Sequence, residues 1–166
     1  MRAQSMWMVF TLLAAATGRG AAQQPDPLAP VLFLVGRWDG AATSTYGPYH
    51  YHNETVRRGI WLIGSGEAHP DQPGAAPIIT TTVIGRDPAG QLVLYLFDGG
   101  GMWRFAGTAD SAGVTFEWRE AGSFRRTRIM PQSDGSVRQE TIAHLPNQQP
   151  PLPKEVTAES VQHPAP

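Results

Sequence analysis

The sequence predicts an all-β protein, a single antiparallel meander β-barrel of nine or ten strands with a short helical turn before the first strand. Two observations predict this fold class. Turn-forming residues, among them 18 glycines and 15 prolines in 166 residues, recur at the roughly 8–12-residue spacing of short strands. Between the turns the chain is rich in Val, Ile, Thr, Phe, Tyr and Trp, which pack well on a pleated surface.

Residues 1–22 are predicted to be an export signal. Arg2 supplies a positive start, residues 6–16 are apolar, and the small residues 20–22 offer a cleavage site. Because the apolar stretch is too short to span a bilayer, we expect no stable membrane insertion after cleavage. The expected location is the bacterial periplasm or the extracellular space.

The predicted elements follow the signal in order. After a polar linker over residues 23–30, residues 28–35 are predicted to form a short helix or 3₁₀ turn, and residues 31–145 to form the barrel domain. The turn at 87–90 combines aspartate, proline and glycine, and the turn at 98–101 combines aspartate with three glycines; these residues favour tight reversals. The predicted strands cover residues 38–46, 49–58, 60–68, 77–86, 91–97, 102–110, 114–119, 124–132 and 137–144.

A barrel is favoured over a sandwich for two reasons. Residues 60–63, 78–84 and 92–97 are apolar on both faces, as expected where one face lines a dry lumen and the other meets a covering element. Closure also removes exposed strand edges. The last segment, residues 146–166, begins as a proline-rich stretch and then either adds a closing strand over 154–161 or remains a frayed tail.

Charge and cysteine content exclude several classes of function. Cleavage of the signal removes Arg2 and Arg19 and leaves 11 basic against 14 acidic side chains, a net charge of −3. Such a chain lacks the basic surface of a general nucleic-acid-binding protein. The absence of cysteine excludes disulfides, iron–sulfur clusters, thiolate zinc sites and a cysteine-linked lipid anchor.

The segment Gly36-Arg37-Trp38-Asp39-Gly40 follows a short apolar turn and precedes eight or nine hairpin strands. In this the chain resembles the calycin barrels, which comprise lipocalins, fatty-acid-binding proteins and nitrobindin-like proteins. It is similar in particular to an exported bacterial family of unknown function, in which Gly-x-Trp-x-Gly is followed by a Gly-x-Asp turn, here residues 85–87, and a Phe-Asp-x-x-Gly turn, here residues 97–101. The resemblance covers residues 28–144.

The resemblance implies a structural role for Trp38 as a plug at one end of the barrel. Gly36 and Gly40 would then allow neighbouring groups to approach closely. An arginine from a late strand often stacks across this tryptophan in the family. Three arginines lie late enough to do so here, Arg126, Arg128 and Arg138, and no motif marks one of them.

Three side chains suggest a metal site. His50, His52 and Glu54 alternate on one predicted strand and therefore share a face, about 7 Å between successive positions. Two histidines and a carboxylate can bind one divalent metal ion. The alternative is a solvated strand face, with Tyr49 and Tyr51 turned inward.

Haem is a second cofactor hypothesis, and it comes from the resemblance. Nitrobindin-like barrels hold haem through a histidine near the C-terminal strand. His144 and His163 lie late enough in the chain, although neither falls in a matching motif. The alternatives are that His144 is a rim residue and that His163 lies in the tail.

Arg126 and Arg128 share one face of a predicted strand, and their environment depends on one register. If three residues stay unpaired in the preceding turn, Trp118 faces Arg126 and the lumen holds two cations for an anionic ligand, as in fatty-acid-binding barrels. If two or four stay unpaired, Glu117 faces Arg126 in an exterior salt bridge. A slip of one residue exchanges the two faces of the strand.

The leading hypothesis is non-enzymatic binding of a small, largely apolar ligand in the lumen, which requires no cofactor. The aromatic residues predicted to line this lumen are Trp61, Trp103, Phe105, Phe116 and Trp118. One alternative is an enzyme. It would be either a metal-dependent enzyme or a cyclase or isomerase that works through the shape of the lumen and one acidic residue. Another is a structural module that binds a partner through its proline-rich C-terminal segment.

Overall fold

The computed structural model describes residues 25–149 and 153–166, and the predicted export signal lies outside them. The described chain forms one 3₁₀ helix, Ala29–Leu34, and ten strands. The strands are β1 Gly36–Ser44, β2 Gly47–Arg58, β3 Trp61–Pro70, β4 Ile78–Arg86, β5 Leu92–Phe97, β6 Met102–Asp110, β7 Gly113–Glu120, β8 Ser123–Pro131, β9 Val137–His144 and β10 Glu155–Pro164.

The ten strands close into an antiparallel meander barrel, which confirms the predicted fold class. Each strand pairs with its neighbours along the chain, and β10 pairs with both β9 and β1. This tenth strand removes the two edges that nine strands would leave. No helix of the described residues is long and apolar enough to cross a membrane.

The 3₁₀ helix covers one end of the barrel, here called the capped end. Leu28 and Val31 are fully buried there and pack with inward residues of β1, β3 and β7. Arg57, at the end of β2, binds Asp26 through two hydrogen bonds of 2.5 and 3.1 Å, and Arg86, at the end of β4, donates to the carbonyl of Pro27. Since the strands alternate in direction, the turns before β2, β4, β6, β8 and β10 lie at the opposite, far end.

The outer apolar residues of β3–β5 were expected to meet a covering element. Among the described residues no element covers them, and Ile63, Ile79 and Phe97 are exposed on the outer face. The inner face is also more polar than the dry lumen that the sequence predicted. Thr80 and Thr82 of β4, for example, line the interior.

Candidate ligand site in the barrel lumen

The interior of the barrel contains a cavity of about 250 Å³. Strand alternation positions its lining, because every second residue of a strand points inward. The cavity is just below the roughly 300–1,000 Å³ that pockets for drug-sized ligands occupy. Its dimensions therefore suit a small molecule.

One wall of the cavity is apolar. It is formed by inward side chains of β4 to β8, namely Ile84, Leu94, Leu96, Phe105, Phe116 and Ile129. Phe105 and Phe116 are buried in the core that continues towards the capped end. This wall provides the area on which an apolar ligand group can pack.

The opposite wall is polar, and its side chains bond to one another across β1. Tyr51 of β2 donates to the Ser160 hydroxyl at 2.9 Å, and Asn53 of β2 donates to the Gln162 side-chain oxygen at 2.8 Å. Both bonds pass Gly40, where a Cβ atom would lie 2.7 Å from the Val161 carbonyl oxygen and 3.1 Å from the Tyr51 ring. The missing side chain at this position lets β2 and β10 side chains meet.

Arg125 of β8 is the cation of this cavity. Its guanidinium carbon lies 5.9 Å from the centre of the Phe105 ring, within cation–π range. Burial lowers the pKa of Arg125, while the charges of Asp98 and Tyr49 act in the opposite direction. An arginine nevertheless remains protonated at neutral pH. No side-chain hydrogen bond or ion pair joins this guanidinium to another of the described residues.

The lumen contains Arg125 in place of Arg126 and Arg128 because of the β7–β8 turn. Only Ala121 and Gly122 are unpaired there, and both have positive φ, 47° and 83°. Trp118 therefore pairs with Arg125, and Glu117 with Arg126. This is the register with two unpaired turn residues, in which Arg126 and Arg128 lie outside the barrel. The hypothesis that they face a ligand in the lumen is therefore wrong.

Both displaced arginines form ion pairs on the outer face. The Arg126 side chain donates to Glu117 at 2.8 Å, and Arg128 donates to Asp110 at 3.3 Å. Arg138 also lies on this face and contacts Glu140 and Glu159 at 3.0 and 2.8 Å. None of the three can therefore stack on Trp38 inside the barrel.

Four of the five aromatic residues predicted to line the lumen lie on its inner face. Phe105 and Phe116 line the cavity, while Trp103 and Trp118 pack edge to face nearer the far end, with ring centres 4.9 Å apart. Trp61 is on the outer face, where its ring lies over Gly85. Its neighbour Leu62 occupies the inner position and is fully buried. This correction follows from the strict alternation of β3.

Trp38 lies at the capped end of the barrel. The side chain is 9% exposed, and its indole N–H donates to the Leu34 carbonyl at 3.0 Å. Gly36 has a φ of 141°, and an added Cβ would lie 3.6 Å from the indole nitrogen. The positive φ therefore favours glycine at position 36, whereas a Cβ at Gly40 would meet Val161 and Tyr51 instead of the indole.

His50, His52 and Glu54 share a face, but it is the outer one. His52 contacts Asp39 at 2.6 Å, His50 contacts Asp71 at 3.7 Å, and Glu54 contacts Arg37 at 3.4 Å. Within the part of the chain that the structure describes, no group of three His, Cys, Asp or Glu side chains is arranged to hold a metal ion. The inward residues between them are Tyr51 and Asn53.

The two histidines considered for haem also lie outside the lumen. His144 contacts Glu155 and stacks on Phe124, with ring centres 6.2 Å apart. His163 pairs in register with Asp39 on the outer face of β1 and β10. Neither side chain faces the cavity.

Sequence reasoning missed the polar residues of the cavity. Arg125 was missed because a two-residue turn beginning with alanine is not a strong hairpin signal, in contrast to Asn-Gly or Asp-Gly. Asn53 and Gln162 were missed because they come together only when β10 closes the barrel against β1. The inward position of Asn53 does follow from alternation with Tyr49 and Tyr51 on β2.

In comparisons with known proteins, no family model matches the chain and no curated protein matches it.

Proposed function

We propose that this protein is an exported barrel that binds a small organic anion in its lumen. The observation that carries the proposal is Arg125, a half-buried cation that lines the cavity and forms no ion pair with any of the described residues. Burying a charge is costly unless an opposite charge or hydrogen bonds accompany it. An anionic ligand would supply both to the guanidinium.

The apolar wall supports a ligand that also has a hydrophobic part. Leu94, Leu96 and Phe105 line the cavity on the side away from the polar wall. An anion with an apolar body can contact these side chains and Arg125 at the same time. A simple carboxylic acid with an aromatic ring is an example of this class.

Two further parts of the proposal rest on sequence. Export is supported by the charge and hydrophobicity pattern of residues 1–22. A relationship to calycin barrels is supported by Gly36, Trp38 and Gly40 at the start of β1, together with the closed meander. Small molecules commonly bind in the mouth or lumen of such barrels.

The first test is native mass spectrometry of the protein recovered from a host that expresses the full chain. We expect the cleaved chain with an added mass that corresponds to a small acid. The probe for direct titration is 3-phenylpropanoate, and the neutral control is its methyl ester, methyl 3-phenylpropanoate. Binding is followed by calorimetry and by the fluorescence of the tryptophans.

We expect 3-phenylpropanoate to bind and methyl 3-phenylpropanoate to bind at least tenfold more weakly. Removing the charge with Arg125→Gln should weaken binding of the acid by about 30-fold or more, because a buried charge pair contributes about 2–5 kcal/mol. The matched control Arg126→Gln removes an exterior charge from the adjacent position and should leave binding unchanged. Equal affinity of acid and methyl ester, or equal effects of the two substitutions, would contradict the proposal.

A further inference from the structure

The second polar feature of the cavity is a pair of side-chain amides that lies closer to the capped end of the barrel than Arg125 does. Asn53 of β2 and Gln162 of β10 are joined by a hydrogen bond of 2.8 Å, and both line the cavity. Gln162 is 5% exposed. Gln139 of β9 lines the same region and carries a third amide.

An amide pair that shares one hydrogen bond still has hydrogen-bonding capacity. Each amide has an acceptor oxygen and a two-hydrogen donor, and one bond uses one donor and one acceptor. The Asn53–Gln162 pair therefore leaves an acceptor on one residue and a donor on the other. This holds for either orientation of the two amides.

The amide pair and the cation lie at different depths. Tyr49 and Arg125 are the third residues of β2 and β8, two strands that both start at the far end of the barrel. Asn53 is four residues further along β2 towards the capped end, a distance of about 13 Å along the strand. Leu94 and Phe105 line the apolar wall of the same cavity. A molecule that contacts both polar features therefore has an apolar body between two polar ends.

We infer that the ligand is bifunctional, with one anionic group for Arg125 and, at its other end, a group with both a donor and an acceptor for Asn53 and Gln162. A primary amide on an aromatic monocarboxylate has this chemistry. The inference rests on the proposed function and narrows it, because a simple fatty acid would place a methyl group against the amides. Sites built to form buried hydrogen bonds discriminate against analogues that lack the partner group.

The test compares two acids that differ only at the far end, 3-phenylpropanoate and 3-(4-carbamoylphenyl)propanoate. In the wild-type protein we expect the carbamoyl acid to bind at least about tenfold more tightly than 3-phenylpropanoate, because it gains two net hydrogen bonds. In Asn53→Leu the two acids should bind with similar affinity. Retained binding of 3-phenylpropanoate then shows that this variant is folded, and the exposed Gln132→Leu is the matched control.

The ratio of the affinities of the two acids for the wild-type protein tests the amide site even if Asn53→Leu fails to fold. If both acids bind the wild-type protein equally and Arg125→Gln weakens both, the anion site stands and the amide site is overturned. If neither acid binds, both proposals are overturned. A tenfold preference that persists in Asn53→Leu and in Gln162→Leu would also overturn the amide site.

Discussion

Arg125 and Arg126 are consecutive residues with opposite environments. Strand alternation directs Arg125 into the lumen over the Phe105 ring and Arg126 outward to Glu117. The exterior pair is partly exposed, and pairs of that kind contribute little to stability. The interior cation has no such partner among the described residues, so its position is a cost to the fold that a bound anion would offset. This contrast makes the two arginines a matched pair for experiments.

Gly40 is the residue that lets the polar wall form, and it provides a prediction at the residue scale. In Gly40→Ala the new Cβ would lie 2.7 Å from the Val161 carbonyl oxygen, so the backbone of β1 or β10 must move, and the Tyr51 ring, 3.1 Å from this Cβ, is also too close. We expect the free energy of unfolding to fall by about 1–3 kcal/mol, as is typical of overpacking. Urea denaturation measures this change.

The matched control for Gly40 is Gly101→Ala. No heavy atom lies within 4 Å of a Cβ built at Gly101, and its φ is not positive. Its stability should stay within about 0.5 kcal/mol of wild type. A Gly40→Ala variant as stable as this control would show that the close approach at β1 is not required.

At the scale of elements, the β7–β8 hairpin determines which arginine enters the lumen. Its two turn residues both have positive φ, the geometry of a type I′ turn. Gly122 adopts this conformation readily, but a left-handed conformation costs an alanine about 1–2 kcal/mol. The rest of the hairpin, including the Trp118–Arg125 pairing, must therefore stabilise Ala121 in this conformation.

Ala121→Asn should stabilise the protein by about 0.5–1 kcal/mol, because asparagine tolerates positive φ and Asn-Gly is the preferred type I′ pair. The expected result is a higher urea midpoint with an unchanged dependence on urea concentration. Ala112→Asn is the control, since Ala112 also lies in a hairpin turn but does not have positive φ. If both substitutions changed the midpoint equally, the left-handed strain at Ala121 would not be the cause.

The elements themselves were largely predictable, whereas the register of this hairpin was not. Glycine, proline and aspartate mark the turns locally, so the sequence predicts the strands to within a few residues. Register depends on turn type, and Ala-Gly is a weak signal for a two-residue turn. One unpaired residue more or less exchanges Arg125 with Arg126, so the anion site was less predictable than the strands around it. The Asn53–Gln162 pair depends on chain closure between residues 109 positions apart.

For the whole molecule, closure of the barrel joins the ends of the chain. β10 completes the sheet between β1 and β9, and the segment before β1 caps one end through Leu28 and Val31. Three carboxylates form contacts that join neighbouring parts of the barrel and its capping segment. Asp26 binds the capping segment to Arg57 of β2, Glu117 joins β7 to β8 through Arg126, and Asp134 accepts hydrogen bonds from Ser136 in the β8–β9 turn.

These contacts predict that the barrel loses stability in acid. The hydrogen bond from Arg57 lowers the pKa of Asp26 below its ordinary value of 3.8, and those from Arg119 and Arg126 lower the pKa of Glu117 below 4.5. The Ser136 hydrogen bonds lower the pKa of Asp134. A carboxyl group whose pKa is lower in the folded chain stabilises the fold above its unfolded-state pKa, and this contribution disappears as the pH falls through its folded-state pKa. The free energy of unfolding should therefore fall as the pH decreases from about 5 to about 2.

Asp26→Asn tests the part of this effect that belongs to the capping segment. The variant should be less stable than wild type at pH 6 and should lose less stability on acidification, because one titrating contact is gone. Urea denaturation at pH 6, 4 and 3 measures both quantities, and 1 M NaCl should reduce the difference between the two proteins by screening the partly exposed pair. Parallel pH profiles for Asp26→Asn and wild type would mean that the Asp26–Arg57 contact does not hold the cap on the barrel.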